Sequence, residues 1–195
     1  FTYTAYVFDS DTADFRLKSV NTRGFTLKTD NVRAHVDFED RSGVFRTNEE
    51  YSLVEFPENK YISHLDLFRW DMDEALLSMG SASETDTTPR IKTREDGEEE
   101  MEGPRYISVD TYQDSLSFVS NYAVYDYQRN ILRGSHVSFL RVADAYIYPG
   151  DGEVTIDPNG EMREFNEATI LANRRNRLHE FYNASVKVLG RNDYK

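Results

Sequence analysis

The densest group of side chains that could do chemistry lies in DLFRWDMDEALLSM, residues 66–79, where acidic residues stand beside aromatic ones. Two carboxylates next to a tryptophan can act as the acid and the nucleophile in glycoside cleavage. Asp71 and Asp73 are therefore the candidate catalytic pair, with Asp66 and Glu74 close by. The alternative is a strand with one charged face. We favour the strand, because 35 acidic residues bring some carboxylates together by chance.

Other signatures of catalysis or metal binding are absent from the sequence. It contains no Gly-rich phosphate loop, no G-x-S-x-G elbow, no H-E-x-x-H helix and no calcium loop. The four histidines lack ligand-like spacing (His35, His64, His136 and His179). Without cysteine, neither disulfides nor thiolate chemistry can occur. We expect no catalytic centre, no cofactor and no metal site.

The composition limits the partners of the chain. A formal net charge of −12 argues against a nucleic-acid backbone or an anionic membrane surface as the main partner. No apolar run approaches the ~20 residues that a transmembrane helix needs, and no signal peptide is visible. The chain begins at Phe1 within strand-like sequence, so we expect it to be a piece of a longer protein.

The pattern of residues predicts three portions. Thirteen Tyr and twelve Phe favour strands, and short alternating runs fill residues 1–80 and 105–195. Residues 81–104 are polar and acidic and cannot bury enough surface to offset their ordering entropy. We expect a mobile acidic insertion there. Residues 66–79 fit either a strand or a short helix ended by Gly80, and we favour the strand.

A weak repeat runs through the second half. Its units begin at Leu116, Phe139, Met162 and Leu178, so the first two intervals are 23 residues. Apolar residues recur at the first position (those four), the fourth (Val119, Val142, Phe165 and Phe181) and the ninth (Val124, Ile147, Ile170 and Val186). The first and fourth side chains of a straight strand point to opposite faces, so each unit must bend to bury both.

The sixth position of each unit is where we expect the bend. It holds Asn121, Asp144, Glu167 and Asn183, and Asn and Asp tolerate left-handed backbone conformations. Units of this length that cannot bury their own faces predict stacked β-rungs, as in a β-solenoid or an elongated β-jelly roll. The alternative is chance similarity within an ordinary antiparallel sandwich.

The stretch SFVSNYAVYDYQRNILRGSHVSFL, residues 117–140, resembles the repeats of the OstA-like lipopolysaccharide-transport family. Those units also read as a Tyr-Asp strand, a polar turn and a returning apolar strand. Most of the chain, including FRTNEEYSLVEFPENKYISHLDLFRWDMDE, is similar to segments of very large uncharacterised envelope proteins of gram-negative bacteria. The resemblance implies a β-jelly roll stacked into an open groove that holds lipid acyl chains. It also implies a location in the periplasm or at the outer membrane.

We therefore expect a non-catalytic β-scaffold segment of a larger cell-envelope protein, with a structural, adhesive or lipid- or glycolipid-conduit role. Its partners would be neighbouring repeats of the same chain. The alternative is a carbohydrate-binding or carbohydrate-cleaving β-helix or jelly-roll module. A scaffold predicts aromatic side chains in the core, and a conduit predicts an open apolar trough. A carbohydrate module predicts exposed tyrosines grouped with carboxylates (Tyr106, Tyr112, Tyr122, Tyr146 and Tyr148).

Overall fold

The computed structural model describes residues 1–49, 52–80, 90–95, 97–173 and 178–195. These residues form 21 β-strands and three short 3-10 turns, which confirms the all-β class. In the described ranges, no helix has the length and apolar character needed to span a membrane.

The strands of the first half include the stretch 66–79, which forms two strands and not a helix. They are β1 (Thr2–Tyr3), β2 (Val7–Lys18), β3 (Phe25–Asp37), β4 (Ser42–Thr47), β5 (Ser52–Phe56), β6 (Tyr61–Leu65), β7 (Leu67–Asp71), β8 (Leu76–Gly80), β9 (Arg90–Thr93) and β10 (Glu99–Glu102).

The strands of the second half have at most five residues, apart from β18 and β19 with eight each. They are β11 (Arg105–Ser108), β12 (Ser117–Val119), β13 (Tyr122–Asp126), β14 (Ile131–Ser135), β15 (Leu140–Val142), β16 (Ala145–Tyr148), β17 (Val154–Ile156), β18 (Phe165–Ala172), β19 (His179–Val186), β20 (Val188–Gly190) and β21 (Asp193–Tyr194). The 3-10 turns are Pro57–Asn59, Thr111–Gln113 and Pro158–Gly160.

Strand β3 divides the main sheet into two arms. It bends at Asn31, whose φ of 56° is left-handed, a conformation that Asn tolerates well. The residues after the bend pair with β4, while Lys28 and Thr29 before it pair with β5. The first arm continues as β4-β7-β8-β13-β14-β17, and the second as β5-β6-β11-β12. Strand β2 pairs along the opposite edge of β3.

Three hairpins of the first arm close with the same four-residue turn. The pairs that flank the turn are Asp37↔Ser42, Asp71↔Leu76 and Asp126↔Ile131. The last turn residue is left-handed each time, with φ of 51° at Arg41, 56° at Ala75 and 56° at Asn130. The aspartate of each pair accepts a hydrogen bond from the backbone N–H of the residue three positions later (Asp40, Glu74 and Arg129). The side chain thus stabilises the turn that its own backbone enters.

Equivalent backbone hydrogen bonds join the first residue of one turn to the last residue of the preceding turn. The N–H of Met72 donates to the carbonyl of Arg41 at 3.0 Å, and that of Tyr127 donates to Ala75 at 3.3 Å. The N–H of Phe38 donates to Tyr6 at 2.7 Å, just before β2. The three hairpins therefore lie side by side in the sheet as equivalent units. Strand β2 pairs with β3 of the first hairpin, just as β4 pairs with β7 of the second.

The chain alternates between the arms as it forms hairpins. It builds β3–β4 in the first arm, β5–β6 in the second, β7–β8 in the first, β11–β12 in the second and β13–β14 in the first. The turn aspartates are 34 and 55 residues apart. The longer interval contains the acidic segment between β8 and β11. Since β6 pairs with β11 and β8 with β13, strands of residues 1–80 and 105–195 share one sheet.

The sheet curls, so that side chains of both arms meet in one core. Phe56 of the second arm packs edge-on against Tyr125 of the first, with ring centroids 5.1 Å apart. The buried hydroxyls of Tyr125 and Thr26 lie 2.5 Å apart, and both lie within hydrogen-bond distance of Asn130 Oδ1. Asn59 is also buried and donates to the carbonyls of Asn130, Ile156 and Asp157. These polar groups connect elements that are distant in sequence.

The acidic segment contains regular structure where it is described. Residues 81–89 and 96 of the predicted mobile insertion lie outside the described residues. Strands β9 and β10 pair as an antiparallel hairpin, from Glu99↔Thr93 to Glu102↔Arg90. Met101 is 5% exposed and packs with Val119 and Phe139 in a second, smaller core. One well-placed methionine thus anchors a segment whose composition predicts a loop.

The four sequence units of the second half do not occupy equivalent positions. The first spans β12 and β13, which lie in different arms of the main sheet. The other three belong to a four-stranded sheet of order β15-β16-β18-β19, where Ile147 pairs with Ile170 and Ala168 with Ala184. These pairs are antiparallel. The structurally equivalent units are the hairpins β3–β4, β7–β8 and β13–β14, whose turn aspartates are 34 and 55 residues apart, and not the 23-residue units.

Each unit nevertheless bends at or beside its sixth position. Asn121 lies where the chain crosses between the arms, and Asp144 lies in the turn between β15 and β16. Glu167 and Asn183 are left-handed, with φ of 57° and 52°, at irregularities in the β18–β19 pairing.

The expected burial of positions one, four and nine is found for most of these residues. Leu116, Phe139, Met162, Val119, Val142, Phe165, Ile147 and Val186 are buried. Val124 and Ile170 are half-buried. Leu178 and Phe181 of the last unit are exposed, whereas Val186 at the end of the same unit is buried.

Candidate functional site: an arginine-lined cleft

A cleft of about 540 Å³ lies where four parts of the fold meet. Strands β11 and β12 form one wall, and the β9–β10 hairpin forms another. Strand β15 and the turn between β20 and β21 complete it. A volume of this size falls within the roughly 300–1,000 Å³ of small-molecule sites.

The floor of the cleft is the second core. Phe139 packs edge-on against Tyr146, with centroids 4.9 Å apart, and both contact the cluster that contains Met101 and Val119. The hydroxyl of Tyr146 accepts the backbone N–H of Glu99 at 3.1 Å. Packing and this hydrogen bond therefore fix the β9–β10 hairpin against the four-stranded sheet, so the cleft is bounded by well-packed elements.

Four arginines line the cleft, each from a different element. They are Arg94 after β9, Arg105 in β11, Arg141 in β15 and Arg191 between β20 and β21. The lining also contains Glu98 and Glu100 but neither Asp nor Lys, so its formal net charge is +2. The whole chain carries −12. The cleft is thus a positive region on an acidic protein, and arginines from separate elements converge there.

Two of these arginines form ion pairs with the β9–β10 hairpin, called the acidic hairpin below. Arg141 Nη1 lies 2.8 Å from Glu98 Oε2, and both side chains are about three-quarters buried. Arg105 Nη2 lies 3.1 Å from Glu100 Oε1. Within the described ranges, no carboxylate lies within ion-pair distance of Arg191, which is exposed. A guanidinium has five N–H donors, so these contacts leave donors available at Arg105 and Arg141.

The candidate catalytic pair lies elsewhere, in an exposed turn. Asp71 Oδ1 accepts the N–H of Glu74 at 2.8 Å, as the other two turn aspartates do in their hairpins. Asp73 forms an ion pair with Arg41, and the hydrogen bond that Arg41 Nε donates to the Asp73 carboxylate raises the pKa of Arg41. The indole N–H of Trp70 donates to Tyr127. Neither carboxylate lines the arginine cleft, and each has a structural partner.

The tyrosines that would mark a carbohydrate site do not lie together. Tyr106 and Tyr146 are buried, Tyr148 is half-buried, and Tyr112 and Tyr122 are exposed. Tyr112 alone of the five lines a second groove, together with Asn159, Glu161 and Lys187. Burial raises the pKa of Tyr106, whose hydroxyl has no hydrogen-bond partner in the described part of the protein.

The histidines are also dispersed in the structure. His35 pairs with Asp9, with Nδ1 and Oδ1 2.6 Å apart, on an exposed part of the β2–β3 pair. Among the described residues, no group of three or more His, Asp or Glu is arranged to hold a metal ion.

Sequence reasoning did not find the cleft, because its arginines are separated by 11, 36 and 50 residues. No local spacing connects them. They meet only because the second arm, the acidic hairpin and the C-terminal strands pack at one place. Comparison with protein-family models, with curated proteins and with solved structures found no match to this chain.

Proposed function

We propose that this chain is a non-catalytic β-scaffold segment of a larger cell-envelope protein, built as an elongated β-jelly roll. The observation that carries the proposal is the stack of three equivalent hairpins, whose turns are joined by the same backbone hydrogen bond. A chain that places hairpins alternately in two arms extends along one axis, because every further unit pairs with the one before it.

The edge of β2 supports a role in longer stacks. Phe38 donates to Tyr6 as Met72 donates to Arg41, so β2 stands where the second strand of a preceding hairpin would stand. Within the described residues, β1 covers the outer edge of β2 only at Phe8 and Asp9. An open edge of this kind pairs readily with another strand. Neighbouring repeats of the same longer protein are its proposed partners.

The filled core favours a structural or adhesive role over lipid transport. The largest fully buried side chains include Tyr61, Tyr106, Tyr125, Phe45 and Phe56. Side chains of the two arms meet, as Phe56 and Tyr125 do, so that the space between the arms is packed with protein. A conduit would instead need an open apolar trough.

The carbohydrate alternative has one supporting feature. Tyr112 is 92% exposed beside the groove that contains Asn159 and Glu161. An exposed aromatic ring beside an amide and a carboxylate suits a sugar ring. The other four tyrosines lie apart from it, so the scaffold proposal accounts for more of the aromatic residues.

A turnover screen tests the non-catalytic part of the proposal. The parent and an Asp71→Asn/Asp73→Asn double variant are incubated with glycoside, ester and peptide substrates. We expect no turnover by either protein. Turnover by the parent that disappears in the double variant would contradict the proposal and support a glycosidase.

Cell fractionation tests the location. An antibody raised against the chain should detect its parent protein in the envelope fraction of the source cells. Detection mainly in the soluble cytoplasmic fraction would contradict the envelope part of the proposal.

A further inference from the structure

We propose that the arginine-lined cleft binds a phosphate monoester with an apolar body, through Arg105, Arg141 and Arg191. This binding site goes beyond the scaffold role and does not depend on it.

The charge of the cleft is the first argument. The lining carries a formal charge of +2 on a chain of −12. On an acidic surface, non-specific attraction of anions is weak, so an anion must be held by a local group of cations. A phosphate monoester carries close to two negative charges at neutral pH, because its second pKa is about 6. Its charge therefore matches the net charge of the lining.

The type of cation is the second argument. All four cationic residues of the lining are arginines. The planar guanidinium offers paired N–H donors that match two oxygens of a phosphate, whereas lysine acts as a point charge. Arg191 has no acidic partner among the residues that the structure describes, so a ligand would not have to displace a carboxylate from it.

The ion pairs with the acidic hairpin position the other two arginines. Glu98 lies against Arg141 and Glu100 against Arg105, each with a single N···O contact in the hydrogen-bond range. The side chains of Arg141 and Glu98 are only 26% and 22% exposed, so the pair is held in one place. Guanidinium groups that are ordered before binding lose less entropy when a ligand arrives.

The apolar residues of the lining favour an organic phosphate over the inorganic ion. Ile107, Phe118, Val119 and Phe139 contribute to the same cleft as the arginines. An apolar group attached to the phosphate can contact them and gain affinity through burial. We therefore expect hexyl phosphate to bind more tightly than inorganic phosphate.

The alternative is that the arginines only fasten the hairpin to the sheets. That role would account for Arg105 and Arg141, which have acidic partners. It would not account for Arg191, so variants of Arg191 separate the two explanations. Arg46 serves as the matched control, because it is an exposed arginine on β4 that does not line the cleft.

The test is calorimetric titration of the whole chain with hexyl phosphate at low salt and pH 7.5. Parallel titrations use inorganic phosphate, hexanoate and hexanol. We expect saturable binding of hexyl phosphate, weakened about tenfold or more by Arg191→Gln, since a hydrogen bond to a charged group has this worth. Arg191→Glu should abolish binding, and Arg46→Gln should leave it unchanged. Melting temperatures should be the same for all three variants.

Absence of hexyl phosphate binding to the parent would overturn the proposal. So would equal affinity of the parent and Arg191→Glu, because binding would then lie elsewhere. Equal binding of hexanol would show an apolar site and contradict the role of the arginines. Equal binding of inorganic phosphate would contradict the part of the proposal that concerns the apolar body.

Discussion

Asp71 and Asp126 hold equivalent positions in two neighbouring hairpins of the first arm. Each is the last residue of its strand, and each accepts the N–H of the residue three positions later, at 2.8 Å in one turn and 2.9 Å in the other. Asp71 is also one of the two candidate catalytic carboxylates of the sequence, with Asp73. Its equivalence to Asp126, and to Asp37 in the first hairpin, supports a role for its carboxylate in stabilising a turn.

Substitution of these aspartates should lower the stability of the fold. Asp126 accepts N–H groups from both Gln128 and Arg129. Asp126→Ala should therefore lower the free energy of unfolding by about 1 kcal/mol, the usual value of a side chain that caps backbone donors. Asp71→Ala should have a similar effect, measured by denaturant unfolding. Asp71→Asn should keep most of the parent's free energy of unfolding, because the amide oxygen can still accept the N–H of Glu74.

If Asp71→Asn loses as much stability as Asp71→Ala, the proposed role of this carboxylate in the turn would be contradicted. Glu39→Gln, in the first turn, is the control. Its side chain makes no hydrogen bond or ion pair in the described residues, and we expect no change in stability.

The sequence predicts the all-β class correctly, but it does not indicate which segments are structurally equivalent. Alternating apolar residues identify most strands, and the outline NVRAHVDFEDRSGVF is similar to NYAVYDYQRNIL, which the structure explains by the shared turn at Asp37 and Asp126. The turn of the middle hairpin, DMDEAL, also fits a helix, so its sequence alone does not indicate that β7–β8 is equivalent to the other two hairpins. Asp37 and Asp71 are 34 residues apart, but Asp71 and Asp126 are 55 apart, so the turns do not recur at a constant interval in the sequence. The cleft could not be predicted, because only tertiary packing brings its arginines together.

Two buried tyrosines should respond in opposite ways to loss of the hydroxyl. Tyr125 OH lies within hydrogen-bond distance of Thr26 and Asn130, whereas Tyr106 OH is unpaired among the described residues. Tyr125→Phe removes the hydroxyl's hydrogen bonds to Thr26 and Asn130, which remain bonded to each other, and should cost about 1 kcal/mol in denaturant unfolding. Tyr106→Phe removes an unsatisfied hydroxyl and should be neutral or stabilising. A larger loss from Tyr106→Phe than from Tyr125→Phe would contradict this assignment.

The ninth positions of the second and third units should differ in their tolerance of charge. Ile147 and Ile170 pair across β16 and β18, yet Ile147 is fully buried and Ile170 is only half-buried. Ile147→Asp should unfold this part of the chain, because a buried carboxylate without a partner is costly. Ile170→Asp should lower the melting temperature without abolishing the transition. Equal effects in thermal unfolding would contradict the difference in burial.

Asp110 should make stability depend on pH in the acid range. Its hydrogen bond with Lys60, at 2.7 Å, and that from the N–H of Tyr112 lower its pKa. A carboxyl whose pKa is lower in the folded protein contributes stability that is complete above its unfolded pKa of about 3.9 and is lost as pH falls through the folded value. Asp110→Asn should therefore lower the melting temperature at pH 6 but not at pH 2. An equal difference at both pH values would contradict the linkage.

Replacing residues 82–102 with a short Gly-Ser linker should leave the main sheet folded. Gly80 and Gly103, at the two ends of this segment, both lie against Asn121, so a short linker can join them. The three hairpins of the first arm pair with one another without this segment, since β4 pairs with β7 and β8 pairs with β13. The variant should keep a strand-rich circular dichroism spectrum and melt a few degrees lower, because burial of Met101 is lost. It should also lose tight binding of hexyl phosphate, since Glu98 and Glu100 no longer position Arg141 and Arg105. A variant that fails to fold would show that the β9–β10 hairpin is required for the main sheet, and would contradict the expectation that the three hairpins fold without it.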